Sequence, residues 1–291
     1  VTPARAGLAL AVATCVVASG AAQQQPVFRT SVEGVSVIVS VRKGNAAVGG
    51  LKAEDFEVFD NAVPQKISTF TVESVPVDVT LLLHVSRASA GYLEWVRSSV
   101  REARGLLKKD DQLRLIAVRH WLSELALPVG GDQSGLESVV ATGGTALYDA
   151  LSAALMRPSQ GDRRQLVVAF TLGVDTISIL SLNALETISG LSDAVVYLVV
   201  PVTGSSGARR ATKADAAPLA ELVRRTGGQE FYADADAPIG GAFTSAIEEF
   251  RTSYVLRYMP QGVASGGWHE ITVKVKGGPY EVRWRKGYSG G

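Results

Sequence analysis

The sequence predicts an α/β protein, a doubly wound, mostly parallel sheet accompanied by a small β-sandwich-like domain, and three observations carry that expectation. From residue 75 onward, apolar runs such as "VDVTLLLHV", "QLVVAFTLG" and "AVVYLVVPV" alternate with helical patterns, which suits strands buried on both faces. Between residues 27 and 73 the runs are short and alternate polar with apolar residues, the mark of antiparallel strands with one solvated face. After the final helical pattern, "YVLRYMP", "HEITVKVK" and "YEVRWRKGY" add three β segments, candidates to complete the small domain.

Taken in order, residues 1–22 read as a signal peptide. Arg5 is the only charged side chain before Arg29, an apolar stretch runs from Ala6 to Ala18, and "SGAAQQQ" supplies small residues for cleavage near Ala22. Ala and Gly fill much of that stretch, and a membrane helix needs about 20 strongly apolar residues, so no span is expected in the mature chain. The single cysteine, Cys15, falls inside the apolar run. A mature chain without cysteine has no disulfide, thiolate nucleophile or cysteine zinc site. The expected destination is therefore outside the cytoplasm, secreted or in the periplasm or cell envelope.

Residues 27–73 form the expected small β domain, with "GNAAVGG" and "DNAVP" as turns and the acidic pair of "LKAEDFEVF" as a solvated connection. Residues 75–252 form the large domain. Within it "YLEWVRSSVREARGLLKK" places Leu93, Val96, Val100, Ala103 and Leu107 at spacings of three and four, an amphipathic helix. "QLRLIAVRHW" and "LSELAL" read as strands, "TALYDALSAALM" and "SLNALETIS" as helices, and "APLAELVRRTGG" as a helix closed by glycine. "APIGGAFTSAIEEFRTS" is the last helix, and residues 253–288 hold the terminal strands.

Charge narrows the partners. The 29 basic side chains nearly match the 28 acidic ones, so no net field draws the chain to nucleic acid. Arg163, Arg164, Arg209, Arg210 and Lys213 fall in expected connections, where they could meet an acidic protein or polysaccharide. "GSSGARRATK" lacks the GxxxxGK[ST] pattern, which argues against a nucleotide. Trp95, Trp121, Trp268 and Trp284 each sit in an expected element and read as packing residues.

In their order, "GLKAEDFEVFDNAVPQKISTF", "TGGTALYDAL", "TGGQEFY", "YVLRYMP" and "WHEITVKVK…VRWRKGY" resemble the von Willebrand factor type A domain, in its VWFA-related acidobacterial form. The resemblance implies a Rossmann-like sheet with ligands approaching the C-terminal strand edges. It also implies a divalent-cation site built from a DxSxS motif, a threonine and a later aspartate. In this chain DxSxS reads His84, Val85, Ser86, Arg87, Ala88; the threonine is Thr145; the last aspartate is Leu172. Magnesium is a hard cation that needs oxygen ligands and compensating charge, and both anchoring carboxylates are missing. The expectation is a degenerate site, no metal and no cofactor, and a non-enzymatic module binding a protein, an envelope or matrix polymer, or a second copy of itself.

Each site residue has a second reading. His84 could ligate a soft metal, but no His or Cys stands at metal spacing, and a histidine pairing a ring nitrogen with a backbone carbonyl is expected instead. Ser86 could be a hydrolase nucleophile, yet no GxSxG elbow surrounds it. Thr145, after two glycines, could equally cap the following helix. Asp175 in "GVDTIS" could return one carboxylate to a cation-dependent adhesion site.

Overall fold

A computed structural model describes residues 34–290 except 45, 73–74, 127–133, 159–162, 203–209 and 235–238. The expected signal peptide, with Cys15, and most of the basic loop of residues 204–213, including Arg209, lie outside the described residues.

Five short strands come first: β1 (Val35–Lys43), β2 (Ala46–Ala47), β3 (Phe56–Asp60), β4 (Val63–Gln65) and β5 (Ile67–Val72). The chain then alternates through β6 (Val77–His84), α1 (Leu93–Gly105), β7 (Gln112–Val118), β8 (Leu122–Leu125), α2 (Ser134–Glu137), α3 (Leu147–Leu155), β9 (Arg164–Phe170), α4 (Leu182–Ser189), β10 (Val195–Pro201), α5 (Lys213–Thr226), β11 (Glu230–Ala233) and α6 (Ile239–Thr252). It closes with β12 (Tyr254–Tyr258), β13 (Gly267–Val275), β14 (Glu281–Trp284) and β15 (Gly287–Gly290).

The central sheet runs β11-β10-β9-β6-β7-β8, parallel throughout except where β8 returns antiparallel to β7. Every residue of β6, β9 and β10 is buried, as expected of strands covered on both faces. In α1, the positions spaced three and four apart face inward, burying Val96, Val100 and Ala103 against that sheet. The chain enters the sheet at β6, builds outward to β8, then crosses back to β9. The connections leaving β6 and β9 therefore diverge at adjacent C-terminal ends, the crevice where α/β sheets hold ligands.

The terminal strands meet the first ones. β1 lies between β12 and β14, with Val37 opposite Leu256 and Ser40 opposite Arg283, and β5 extends this antiparallel sheet beyond β12. A second antiparallel sheet runs β15-β13-β3-β4. Inward residues of both, among them Val37, Val39, Phe56, Val58, Leu256, Ile271 and Val273, form one core cluster distinct from that of the central sheet.

A buried carboxylate and its buried or part-buried partners bind the two cores together. Glu249 of α6 is buried; its Oε1 accepts from Tyr197 Oη at 3.0 Å, Ser40 Oγ at 3.3 Å and the Arg283 guanidinium, and its Oε2 from Arg42 at 2.8 Å and Gln229 at 2.9 Å. Burial, reinforced by the neighbouring Glu249 carboxylate, pushes the Tyr197 hydroxyl well above its ordinary range. The motif "TGGQEFY" belongs to the same junction: Gly227, at φ 83°, closes α5, and a Cβ on Gly228 would lie 1.8 Å from the Val196 carbonyl oxygen.

Two arginines expected in connections with a partner serve the fold instead. Arg164 is 4% exposed, inside β9, and donates to the carbonyls of Phe250, Arg251 and Ser253 at the end of α6. Arg163 pairs with Asp78 at 2.5 Å and donates to the Asp110 carbonyl at 2.7 Å. Both sit where β9 begins, the edge opposite the crevice. Arg210 donates to the Val202 carbonyl, and Lys213 opens α5 with its ammonium 4.9 Å from the centre of the Tyr232 ring.

Candidate functional site

The crevice gathers His84, Ser86 and Thr145 in one buried cluster, each 3% exposed or less. His84 ends β6, and Ser86 follows where the chain turns into a 3-10 turn at Arg87–Tyr92. Backbone bonds tie this turn to the glycine loop before α3: Thr142 N–H donates to the Val85 carbonyl at 3.0 Å, and Arg87 N–H to that of Gly143 at 3.2 Å. Thr145 is thereby brought over the end of β6.

His84 Nε2 lies 2.7 Å from Ser86 Oγ and 2.7 Å from Thr145 Oγ1. On the far side of the ring, Leu172 N–H donates to Nδ1 at 3.3 Å. An Nδ1 that accepts carries no proton, so the hydrogen-bond network assigns the neutral tautomer with hydrogen on Nε2. One Nε2–H is thus shared by two hydroxyl oxygens. The expected partner was a backbone carbonyl; it is a backbone N–H, because Leu172 follows the adjacent strand β9 and presents its amide to the ring while its side chain enters the core.

Thr145 does not cap α3. The residue before the helix is Ala146, without a side-chain cap, and the Thr145 hydroxyl turns inward to His84. Asp175 does the capping from another loop: its Oδ1 accepts from Leu147 N–H at 2.7 Å and Tyr148 N–H at 3.2 Å, the first donors of the helix. Ser178 completes the carboxylate, its hydroxyl donating to Oδ1 at 2.5 Å and its N–H to Oδ2 at 3.2 Å. Asp149 reciprocates, accepting from Ile179 N–H at 3.0 Å and Leu180 N–H at 2.9 Å. The loop after β9 is therefore fastened to the start of α3 by both carboxylates, and burial together with Asp175 raises the Tyr148 hydroxyl above its ordinary range.

Exposed apolar side chains stand near the buried cluster, mixed with basic ones. Trp121, in the turn between β7 and β8, is 50% exposed, Ile177 44% and Ile179 94%. His120 and Ile177 flank the Gly143–Gly144 turn: a Cβ on Gly143 would stand 2.4 Å from His120 Nδ1, and one on Gly144 3.4 Å from Ile177 Cγ2. The Arg119 guanidinium lies 5.0 Å from the centre of the Trp121 ring, and Arg87 is exposed at the start of the 3-10 turn that follows β6. Of the tryptophans expected to pack, Trp95 and Trp268, 45% and 43% exposed, pack with one side only: Trp95 meets the buried Tyr92 ring edge-on at 5.9 Å between centres, and Trp268 lies under the Arg225 guanidinium at 4.7 Å. Trp284 does join strands, donating to the Ile271 carbonyl at 2.8 Å. The sequence signal for the rim lay in "RHW" and "TISI", polar-apolar mixtures at strand ends where no helix or sheet face is left to bury them.

No family model matches the chain, and no curated protein matches it. Among solved structures, a von Willebrand factor type A protein from Catenulispora acidiphila is 10% identical, with 90% of this chain and 74% of that one covered at a TM-score of 0.49. An aerotolerance-related membrane protein from Bacteroides fragilis is 19% identical, with 60% and 98% covered at 0.46. The manganese-loaded TRAP protein of Plasmodium vivax is 14% identical, with 79% and 98% covered at 0.45. Likenesses of this size carry no argument; the fold rests on the strand order itself, β11-β10-β9-β6-β7-β8, a doubly wound sheet.

Proposed function

We propose that this chain is a non-enzymatic interaction module of the cell envelope or exterior, with a decayed cation site, that recognises a protein or polymer partner at the C-terminal edge of its central sheet without a bridging metal. One observation carries the reading: His84 Nε2–H stands within 2.7 Å of both surviving hydroxyls, so an imidazole already spans the oxygens that a cation would have to bridge. The donor set does not fit a hard dication. Neither anchoring position holds a carboxylate, and the Asp175 oxygens are engaged by α3 and Ser178. The same tautomer argues against a hydrolase, since a general base must offer Ser86 a free lone pair and here it offers a proton. Apolar contact through Trp121, Ile177 and Ile179, with Arg87 and Arg119 for polar selection, takes the place of metal bridging. The two antiparallel sheets are read as a small sandwich domain supporting that module, and the leader of residues 1–22 as its export signal.

Affinity capture from native envelope, with and without EDTA, tests the reading. Partners are expected to survive the chelator and to be lost with Ile179→Asp; partners released by EDTA and restored by magnesium would sink it.

A further inference from the structure

We infer that β5 is the seam of a homodimer: two copies of the chain pair antiparallel along it, about a two-fold axis at Phe70, and join their β14-β1-β12-β5 sheets into one. Val72 leads into the start of β6, the end opposite the crevice, so the contact stands independently of the function proposed above.

A sheet edge presents unpaired backbone N–H and C=O groups that template another strand, and folded chains blunt their edges with charge, proline, shortness or cover. This chain does so at its other edges. β4 contains Pro64. β8 and β11 have four residues each and carry Glu124 and Glu230. β14 carries Glu281 and Arg283 beside the turn that closes α5, where a Cβ on Gly227 would stand 2.6 Å from the Trp284 carbonyl carbon. In β15 the Ser289 N–H donates to the Gly190 carbonyl at 2.9 Å.

β5 is the exception. It is an edge strand of six residues, "ISTFTV", with no charge and no proline, and it carries the β-branched Thr69 and Thr71. One side pairs with β12; among the described residues no backbone hydrogen bond reaches the other. The bulge between Arg257 and Tyr258 disturbs only the Ser68 end, leaving Thr69 to Val72 in regular register.

The lack of charge selects the partner. A charged strand docking here would lose water from its side chains with nothing on β5 to compensate, whereas a second β5 brings no charge to the seam. The faces then select the register. Phe70 points inward, its ring centre 5.6 Å from those of both Phe56 and Tyr254, and residues directly opposed in an antiparallel pair share a face. Phe70 opposite Phe70 keeps both cores on one side and sets Thr69 opposite Thr71 of the second copy on the other. Threonines so opposed hydrogen-bond across a seam. The same patch meets itself, so the contact closes at two copies and leaves neither with an open β5 edge.

Sedimentation equilibrium of the full chain over a concentration series tests this, and a reversible equilibrium between monomer and dimer is expected. Thr69→Lys combined with Thr71→Lys opposes like charges at two symmetry-related places and should raise the dimer dissociation constant about tenfold. Thr69→Glu with Thr71→Glu should repeat that loss, which keeps the test open should the lysine protein fail to fold. Thr69→Glu with Thr71→Lys places opposite charges across the same seam and should restore the dimer, a result specific to the register centred on Phe70. A chain monomeric at every concentration, its edge left to a foreign strand or to none, would overturn the inference. So would a dimer unmoved by both like-charge variants, or a mixed-charge variant as weak as they are.

Discussion

His84 and Thr145, 61 positions apart in sequence, meet at 2.7 Å between Nε2 and Oγ1, and Ser86 Oγ shares the same proton at the same distance. Two acceptors serving one buried donor make each of them partly dispensable. Ser86→Ala and Thr145→Val should each cost about 0.5–1.5 kcal/mol, because the other hydroxyl keeps Nε2–H satisfied. The double variant takes both hydroxyl acceptors from that buried donor and should cost about 1–3 kcal/mol more than the sum. Urea unfolding of the four proteins measures the coupling; simple additivity would refute the shared bond.

Asp175 holds the first two amides of α3 from a loop that follows a different strand. Asp175→Ala should destabilise the chain by about 1–2 kcal/mol, the range of a lost helix cap, and Asp175→Asn by less, since one oxygen still accepts. Hydrogen exchange at the Leu147 and Tyr148 amides should quicken in the alanine variant. Unchanged protection there would show that the carboxylate has another purpose.

The Glu249 carboxylate stands between Arg42 and Arg283, two cations from strands of the second core. Glu249→Ala takes the shared carboxylate from both cations in a part-buried site, and a loss of about 2–4 kcal/mol is expected on chemical unfolding. Arg42→Met paired with Glu249→Leu should recover part of it, because apolar replacement removes the unpaired charge as well as the bond. A loss below about 1 kcal/mol for the alanine variant would mean that water reaches the site and screens it.

Asp111 contributes a pH dependence whose sign follows from its surroundings. Burial would raise its carboxyl, but the hydrogen bond from Arg251 at 2.7 Å and those from the Val77 and Lys108 amides outweigh it, leaving the group below the ordinary carboxylate range. A carboxyl depressed in the folded state stabilises fully above its unfolded pKa, about 3.9, and that contribution fades as pH falls through the lower folded value. Stability should therefore decline below about pH 4, with a shallower slope in Asp111→Asn. Equal slopes for the two proteins between pH 4 and 2 would exclude this carboxyl as a source.

Strand and helix placement was legible because β6, β9 and β10 are continuous apolar runs and α1 repeats its apolar positions at three and four. That no carboxylate stands at His84 or Leu172 was legible too, being a matter of residue identity. What the residues do in their place was not. The Nε2–H tautomer depends on an amide delivered by a neighbouring strand, and the cap of α3 comes from a residue 28 positions beyond Leu147. Arg164 looked like a loop cation because its role, closing the end of α6, involves carbonyls more than 80 residues away. Glu249 gave a signal that local pattern reading passes over: it shares the inward face of α6 with Ala246 and Phe250, where a lone acid requires counter-charges from elsewhere.

The position of β1 sets an order of events during biosynthesis. Its long neighbours are β12 and β14, so apart from the short β2 pairing at Arg42 and Lys43 it stays without hydrogen-bonded neighbours until residues 254–284 have left the ribosome. The parallel sheet can assemble from segments made closer together, but this antiparallel one has to wait for partners more than 200 residues downstream. Truncation before Trp284 would strip β1 of one neighbour, leaving a valine-rich ribbon open to pairing with other nascent chains.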